Sequence, residues 1–233
     1  WLSAFGAGIS RFDKKQGTFK KYMNDPTDAF SLGSNNVYEI QSQDDEHLYI
    51  ATIGNGLNIF DKKTERFTRL GQDQGFPANN VATCRWDQWG NLWLGTEVGL
   101  IRYNEAKNTF KIFTKEDGLQ GNVFLDAAAW AAEDGTLWFG GVGGINHIDP
   151  QLIRENTVVP EVYLTTLTRD GMKINVNKDP SRLQAIRMDY KDNYFEFTFT
   201  ALNYSISAKN QYAYILEGFD KDWYYAGTER KGR

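Results

Sequence analysis

The chain has 233 residues, 41% of them hydrophobic and 15% aromatic, enough for one large or two ordinary domains with their own cores. Its formal net charge is −4 and it holds no basic run, which argues against a nucleic-acid interface built on a basic stripe. One cysteine rules out an internal disulfide framework, and no stretch approaches the ~20 apolar residues of a membrane span.

The 22 glycines and the many Phe, Tyr and Trp residues, set against only 5 prolines, lean towards an all-β chain. Aromatic side chains suit pleated surfaces and glycine suits tight turns. In chain order one phrase then recurs: WLSAFGAGISRFD at 1–13, HLYIATIGNGLNIFD at 47–61, GNLWLGTEVGLIRYN at 90–104 and GTLWFGGVGGINHID at 135–149. Its aromatic residues Trp1, Tyr49, Trp93 and Trp138 are separated by 48, 44 and 45 positions. A strand-like repeat of ~45 residues predicts a β-propeller built of four-stranded blades. Helical repeats would need apolar residues at i, i+3 and i+4 over ten or more positions, and these segments lack that pattern.

The third copy divides cleanly. NNVATCRW (79–86) is a first strand and DQWG (87–90) a turn; NLWLGT (91–96) is a second strand, LIRYN (100–104) a third and TFKIFT (109–114) a fourth. KEDGLQGN (115–122) crosses to the next blade. The second copy repeats the order from Asn35. Glycines 95, 99, 140 and 144 bracket the loop after the second strand, where close approach or positive φ favours glycine. The recurrent Trp or Tyr is expected to fill the gap between adjacent blades rather than to form a sugar-stacking platform. Trp1 enters midway through a blade, so about three and a half blades end near Asp149. That number cannot close a ring, and the remaining blades are expected from the same parent chain. No secretory leader is expected at the start, because Trp1 already stands inside a repeat.

Several apparent motifs dissolve on inspection. GGVGGI (140–145) has the wrong glycine spacing for a dinucleotide fingerprint and precedes a strand. The acidic pairs Asp44–Asp45, Glu116–Asp117 and Glu133–Asp134 stand before turns, so they read as turn chemistry. Cys84 alternates within a strand and reads as a small buried hydrophobe. The two histidines, His47 and His147, lack metal-ligand neighbours, and no Ser/His/Asp set has catalytic spacing. Neither a metal nor a cofactor is expected.

After Pro150 the period stops. The segment 151–160 reads as a linker, and 161–233 as short strands of an Ig-like β-sandwich that is incomplete at its C-terminal end. EVYLTTLTRDGMKI (161–174) predicts a strand, an RDG turn and a second strand, and VNKDPSRLQA (176–185) a loop. NYFEFTFTAL (193–202) alternates strictly, with Phe195, Phe197, Phe199 and Ala201 on one face. QYAYILEGFD (211–220) predicts another strand.

GNLWLGTEVGLIRYN together with DGLQGNVF (117–124) resembles the regulator-propeller repeat of bacterial hybrid two-component sensors. YFEFTFTALNYSISAKNQYAYILEGFDKDW (194–223) resembles the triple-tyrosine domain that follows those propellers, with Tyr212, Tyr214, Leu216, Glu217, Gly218, Phe219, Asp220 and Trp223 in the family order. The resemblance implies the periplasmic sensor part of an inner-membrane hybrid histidine kinase that detects an oligosaccharide, works as a homodimer through its parent protein and regulates transcription. It also implies that this segment is not itself an enzyme, since no kinase motif is present. Two other readings stay open: a propeller lyase or glycosidase, which needs a carboxylate pair or a His/Tyr/Arg cluster at the ring mouth, and a non-catalytic interaction scaffold. The candidate ligand contacts are Asn55, Asn80, Glu97 and Asn122, whose amide and carboxylate groups stand in the loops of one ring face and suit sugar hydroxyls.

Overall fold

The computed structural model describes residues 1–154, 160–169, 172–174, 194–203 and 207–233. The chain is all-β and divides into two compact units, Trp1–Arg154 and Glu155–Arg233.

The first unit is a succession of antiparallel meanders in which each strand pairs with the next. Sheet one holds β1 (Leu2–Ser3), β2 (Ile9–Asp13) and β3 (Thr18–Tyr22). Sheet two holds β4 (Val37–Gln41), β5 (His47–Thr52), β6 (Leu57–Asp61) and β7 (Arg66–Leu70). Sheet three holds β8 (Val81–Trp86), β9 (Asn91–Thr96), β10 (Leu100–Asn104) and β11 (Thr109–Phe113). Sheet four holds β12 (Phe124–Ala131), β13 (Leu137–Gly141) and β14 (Gly144–Ile148). The four strands expected in the third repeat are thus present at the expected places.

Packing explains the residue pattern. Leu92, Trp93 and Leu94 of β9 are consecutive and all buried, because both faces of the strand are covered. Leu92 and Leu94 join Tyr49, Ala51, Leu57 and Phe76 in the core between sheets two and three. Trp93 turns the other way and packs with Phe124, Leu137, Phe139 and Ile148 of sheet four. Leu48, Ile50 and Phe60 meet Ile9 and Tyr22 of sheet one. The first strands of the sheets converge: β4, β8 and β12 pack on one another, and β1 packs on β4.

The repeat also carries polar devices. Thr52 Oγ1 donates to the Gly56 carbonyl at 2.8 Å and Thr96 Oγ1 to the Gly99 carbonyl at 2.7 Å, closing the turn after the second strand. Gly99 has φ +139°, and a Cβ there would run into the Phe113 carbonyl. The acidic pairs act in turns as expected. Asp44 accepts from the Glu46 and His47 N–H groups, Asp117 from the Thr114 N–H and Asp134 from the Thr136 N–H.

Two of the repeat aromatics fill gaps between sheets of the first unit. Tyr49 and Trp93 are buried, but Trp138 is 41% exposed. It forms a cross-strand row with Trp130 and His147, and its ring centroid is 4.3 Å from that of His147.

In the second unit β15 (Val162–Arg169) pairs with β16 (Met172–Lys173) and β17 (Phe195–Ala201), and β17 pairs with β20 (Lys231–Gly232). A separate hairpin joins β18 (Tyr212–Tyr214) to β19 (Tyr224–Gly227). The alternation of β17 sends Phe199 and Ala201 inward against Tyr212 of β18. The strand expected over 211–220 is shorter than its alternation suggested. After Tyr214 the chain turns, because Asp220 accepts from the Leu216 N–H at 2.8 Å and the Leu216 carbonyl accepts from the Phe219 and Asp220 N–H groups. Asp170 and Gly171 of the expected RDG turn, and the expected loop 176–185, lie outside the described residues.

Candidate functional site

The loops that hold the sequence candidates gather at the end of the meanders where the first strands begin. Gly54, in the β5–β6 turn, donates its N–H to the Asn79 carbonyl and to Asn80 Oδ1, both at 3.0 Å. Glu97, in the β9–β10 turn, accepts from the Asn79 N–H at 2.9 Å and the Asn80 N–H at 3.1 Å. Asn80 and Glu97 therefore form one seam between sheets two and three, with half-buried Asn55 next to Gly54. Asn122 is not part of it. It is exposed, and its Oδ1 accepts from the Lys115 N–H at 2.8 Å in the crossover to sheet four. All four candidates stand in loops, and three of them already use side-chain oxygens to fix backbone.

Sequence reasoning missed the side chain that carries this end of sheet two. Asn58 is fully buried; its Oδ1 accepts from the Gly33 N–H at 2.8 Å, and its amide donates to the Asn55 carbonyl at 3.2 Å and to Thr52 Oγ1 at 3.3 Å. Asn146 does the same for sheet four, accepting from the Gln120 N–H at 3.1 Å. The signal was available: each stands three residues before the aspartate that closes its repeat phrase, Asp61 and Asp149.

The converging first strands hold a second polar group. In β4 one extra residue, Tyr38, bulges between the Val37–Thr52 and Glu39–Ala51 pairs, and in β8 Ala82 does the same. The bulge sets Glu39 against β8. Its carboxylate accepts from Thr83 Oγ1 and the Cys84 N–H, each at 2.8 Å, and forms an ion pair with Arg85. The two ion-pair side chains are only 11% and 18% exposed. Cys84 is buried beside them, and burial together with the Glu39 charge pushes its thiol pKa up.

β12 departs from this pattern. Between the Phe124–Gly141 and Ala129–Phe139 pairs it carries four residues, 125–128, opposite one. Ala127 there has φ +50°, a left-handed conformation that costs an alanine about 1–2 kcal/mol. The irregularity lies in the strand that packs on β4, and it leaves Asp126 exposed. Burial, followed by the Asp126 charge, raises the Tyr38 pKa. The Phe5 ring lies 6.2 Å from that of Tyr38. Glu39 also accepts from the Gln41 amide at 3.1 Å, so its carboxylate is held by Gln41, Thr83, Cys84 and Arg85. The arrangement offers recognition groups: a carboxylate, a phenol and an aromatic face. Among the described residues no group of three or more His, Cys, Asp and Glu side chains is placed to hold a metal ion.

No protein-family model matches the chain. A curated relative, histidine kinase P4 of Formosa agariphila, is 27% identical over 279 aligned positions, which take in 96% of this chain and 20% of that protein. The extracellular domain described as belonging to a one-component system of B. thetaiotaomicron superposes with TM-score 0.51 at 17% identity, over 97% of this chain and 43% of that one. At that identity the likeness is one of fold. Extracellular domains of two hybrid two-component systems from the same organism are also similar, with TM-scores of 0.48 and 0.43 at 17% identity; they cover 96% and 97% of this chain and 29% and 39% of theirs. The chain spans about a fifth of the curated relative and less than half of each of these solved domains. Among the described residues no helix is long and apolar enough to cross a membrane.

Proposed function

We propose that the chain is the extracytoplasmic sensor region of a hybrid two-component histidine kinase, periplasmic within an inner-membrane protein. In this reading the meanders of the first unit are the blades of a β-propeller continued by the rest of the parent chain. The second unit is the Ig-like triple-tyrosine sandwich that passes the signal towards the membrane, within a homodimer. The ligand is an oligosaccharide, and the phosphotransfer chemistry belongs to the kinase core of the parent. The observation that carries the reading is that a single stretch of similarity to a histidine kinase takes in 96% of the chain, meanders and second unit together.

A ligand can shift such a receptor only by its differential affinity for two arrangements. The test therefore needs both binding and output. Titration calorimetry of the chain against oligosaccharides is expected to yield at least one ligand. The same ligand is expected to change autophosphorylation of the full-length parent in membranes. A ligand that binds without altering autophosphorylation would remove the sensor role.

A further inference from the structure

We propose that two copies of the chain dock head to tail, sheet four of each on sheet one of the other, so that their first units close one ring of sheets. The inference does not rest on the sensor reading. Its warrant is a kind of junction that the first unit already builds between its own sheets. An aromatic pair spans the last two strands of three sheets: Phe12–Phe19, Phe60–Phe67 and Tyr103–Phe110, each in register, with ring centroids 4.7, 4.7 and 4.9 Å apart. In sheets two and three this pair faces the preceding sheet. Phe60 and Phe67 pack with Ile9 and Tyr22 of sheet one, and Tyr103 and Phe110 join the core that holds Tyr49 of sheet two. In sheet one the same pair is 41% and 56% exposed. The other face of each sheet meets the following sheet. The Tyr49 ring lies 4.8 Å from that of Trp86 in sheet three, and Trp93 packs on sheet four. The corresponding residue of sheet four, Trp138, is exposed, and so is Trp130 beside it in the row.

The two open faces are counterparts. Sheet one shows the face that packs on a preceding sheet, and sheet four shows the face that packs on a following one. Stacked repeats that stop at one copy end in polar caps, because an apolar outer face is unfavourable in water. Here both outer faces are aromatic. The charges agree with the pairing. In a four-stranded meander the turns after the first and third strands lie at one end. In both junctions within the chain the turn before the last strand reaches back to the preceding sheet. Glu65 accepts from the Tyr22 hydroxyl at 2.9 Å and lies 3.3 Å from Arg11, and Glu105 accepts from the Tyr49 hydroxyl at 2.6 Å. In sheet one that turn carries exposed Lys14 and Lys15, and at the same end the β12–β13 turn of sheet four carries exposed Glu133 and Asp134. Docking of unlike faces leaves one face free on each partner, so it either closes on itself or continues into a filament. Two copies of the four sheets bring eight, and rings of such meanders close with about four to eight.

The experiment is sedimentation velocity of the full chain over a range of concentrations, and a dimer is expected. Phe12→Lys in sheet one and Trp138→Lys in sheet four are each expected to weaken the dimer about thirtyfold or more, the scale of a buried aromatic anchor. Lys63→Glu, in the exposed β6–β7 turn, is expected to stay dimeric. Should a variant fold poorly, the unchanged chain supplies a second readout. Carbodiimide cross-linking of mixed light and isotope-labelled chains is expected to join Lys14 or Lys15 of one copy to Glu133 or Asp134 of the other. A dimer that survives either variant, or that gives no link between those turns of different copies, overturns the head-to-tail junction. Filaments in place of a dimer overturn the closed ring. A monomer at every concentration overturns the proposal and leaves both faces to other sheets of the parent, with the sensor reading untouched.

Discussion

Asn58 illustrates how much one side chain can hold. It is fully buried and gives both ends of its amide to backbone and to Thr52. Asn58→Leu keeps the volume but leaves the Gly33 N–H unpaired, so the urea midpoint of the first unit should fall by the equivalent of about 1–3 kcal/mol. Ala127 is the opposite case. Its left-handed φ favours glycine, so Ala127→Gly is expected to raise the same midpoint by about 1 kcal/mol. Glu65 makes a pH-dependent contribution. It accepts from Lys20 and from the Tyr22 hydroxyl and lies 3.3 Å from Arg11, and these partners hold its carboxyl below the ordinary value. A carboxyl with a depressed native pKa adds stability above its unfolded value, ~4.3, and loses it as pH falls through the native value. The unchanged chain should therefore lose stability more steeply below about pH 4.3 than Glu65→Gln, as thermal melts across acid pH would show.

At the scale of strands and turns, legibility followed the repeat. β8 to β11 could be read almost residue for residue, because alternation, the DQWG turn and the TEVG turn mark each boundary in the local sequence. The turn after β9 also supports a prediction. Gly99→Ala should destabilise by about 1–3 kcal/mol, since it adds strain at φ +139° and a clash with the Phe113 carbonyl; urea unfolding would measure it. Features without a local signature were not legible. The alternation of Tyr212 and Tyr214 continues on paper into Leu216, yet Asp220 caps a turn there instead. Trp138 shares a column with Trp93, yet one is exposed and the other buried, and the column does not tell them apart. For the candidate site, loop composition pointed to Asn80 and Glu97 at the seam. The β8 partners of Glu39, by contrast, lie 44 to 46 residues further on, one repeat away, and no local signal marks a contact between the first strands of neighbouring sheets. The excursion of β12 was invisible because no local signal says how many residues that strand leaves unpaired.

Across the whole molecule, stability is expected to be uneven. The first unit has three inter-sheet cores, and β5 and β9 lie between them with runs of buried residues. The second unit has four buried apolar residues among those described, Leu167, Phe199, Ala201 and Tyr212, and only the last three form a cluster. Hydrogen exchange on the full chain should find the slowest amides in β5 and β9 and faster exchange in β15 to β20. Equal protection across both units would contradict this ranking. Cys84 then gains an unexpected use. As the only thiol in the chain, sealed at 0% exposure in the core between sheets two and three, it is a chemical stopwatch for that seam. A disulfide reagent added to the native chain can reach it only when the two sheets part, so the labelling rate counts those openings. If signalling loosens or tightens the sheets, a bound ligand would change that rate without a single residue having to be altered.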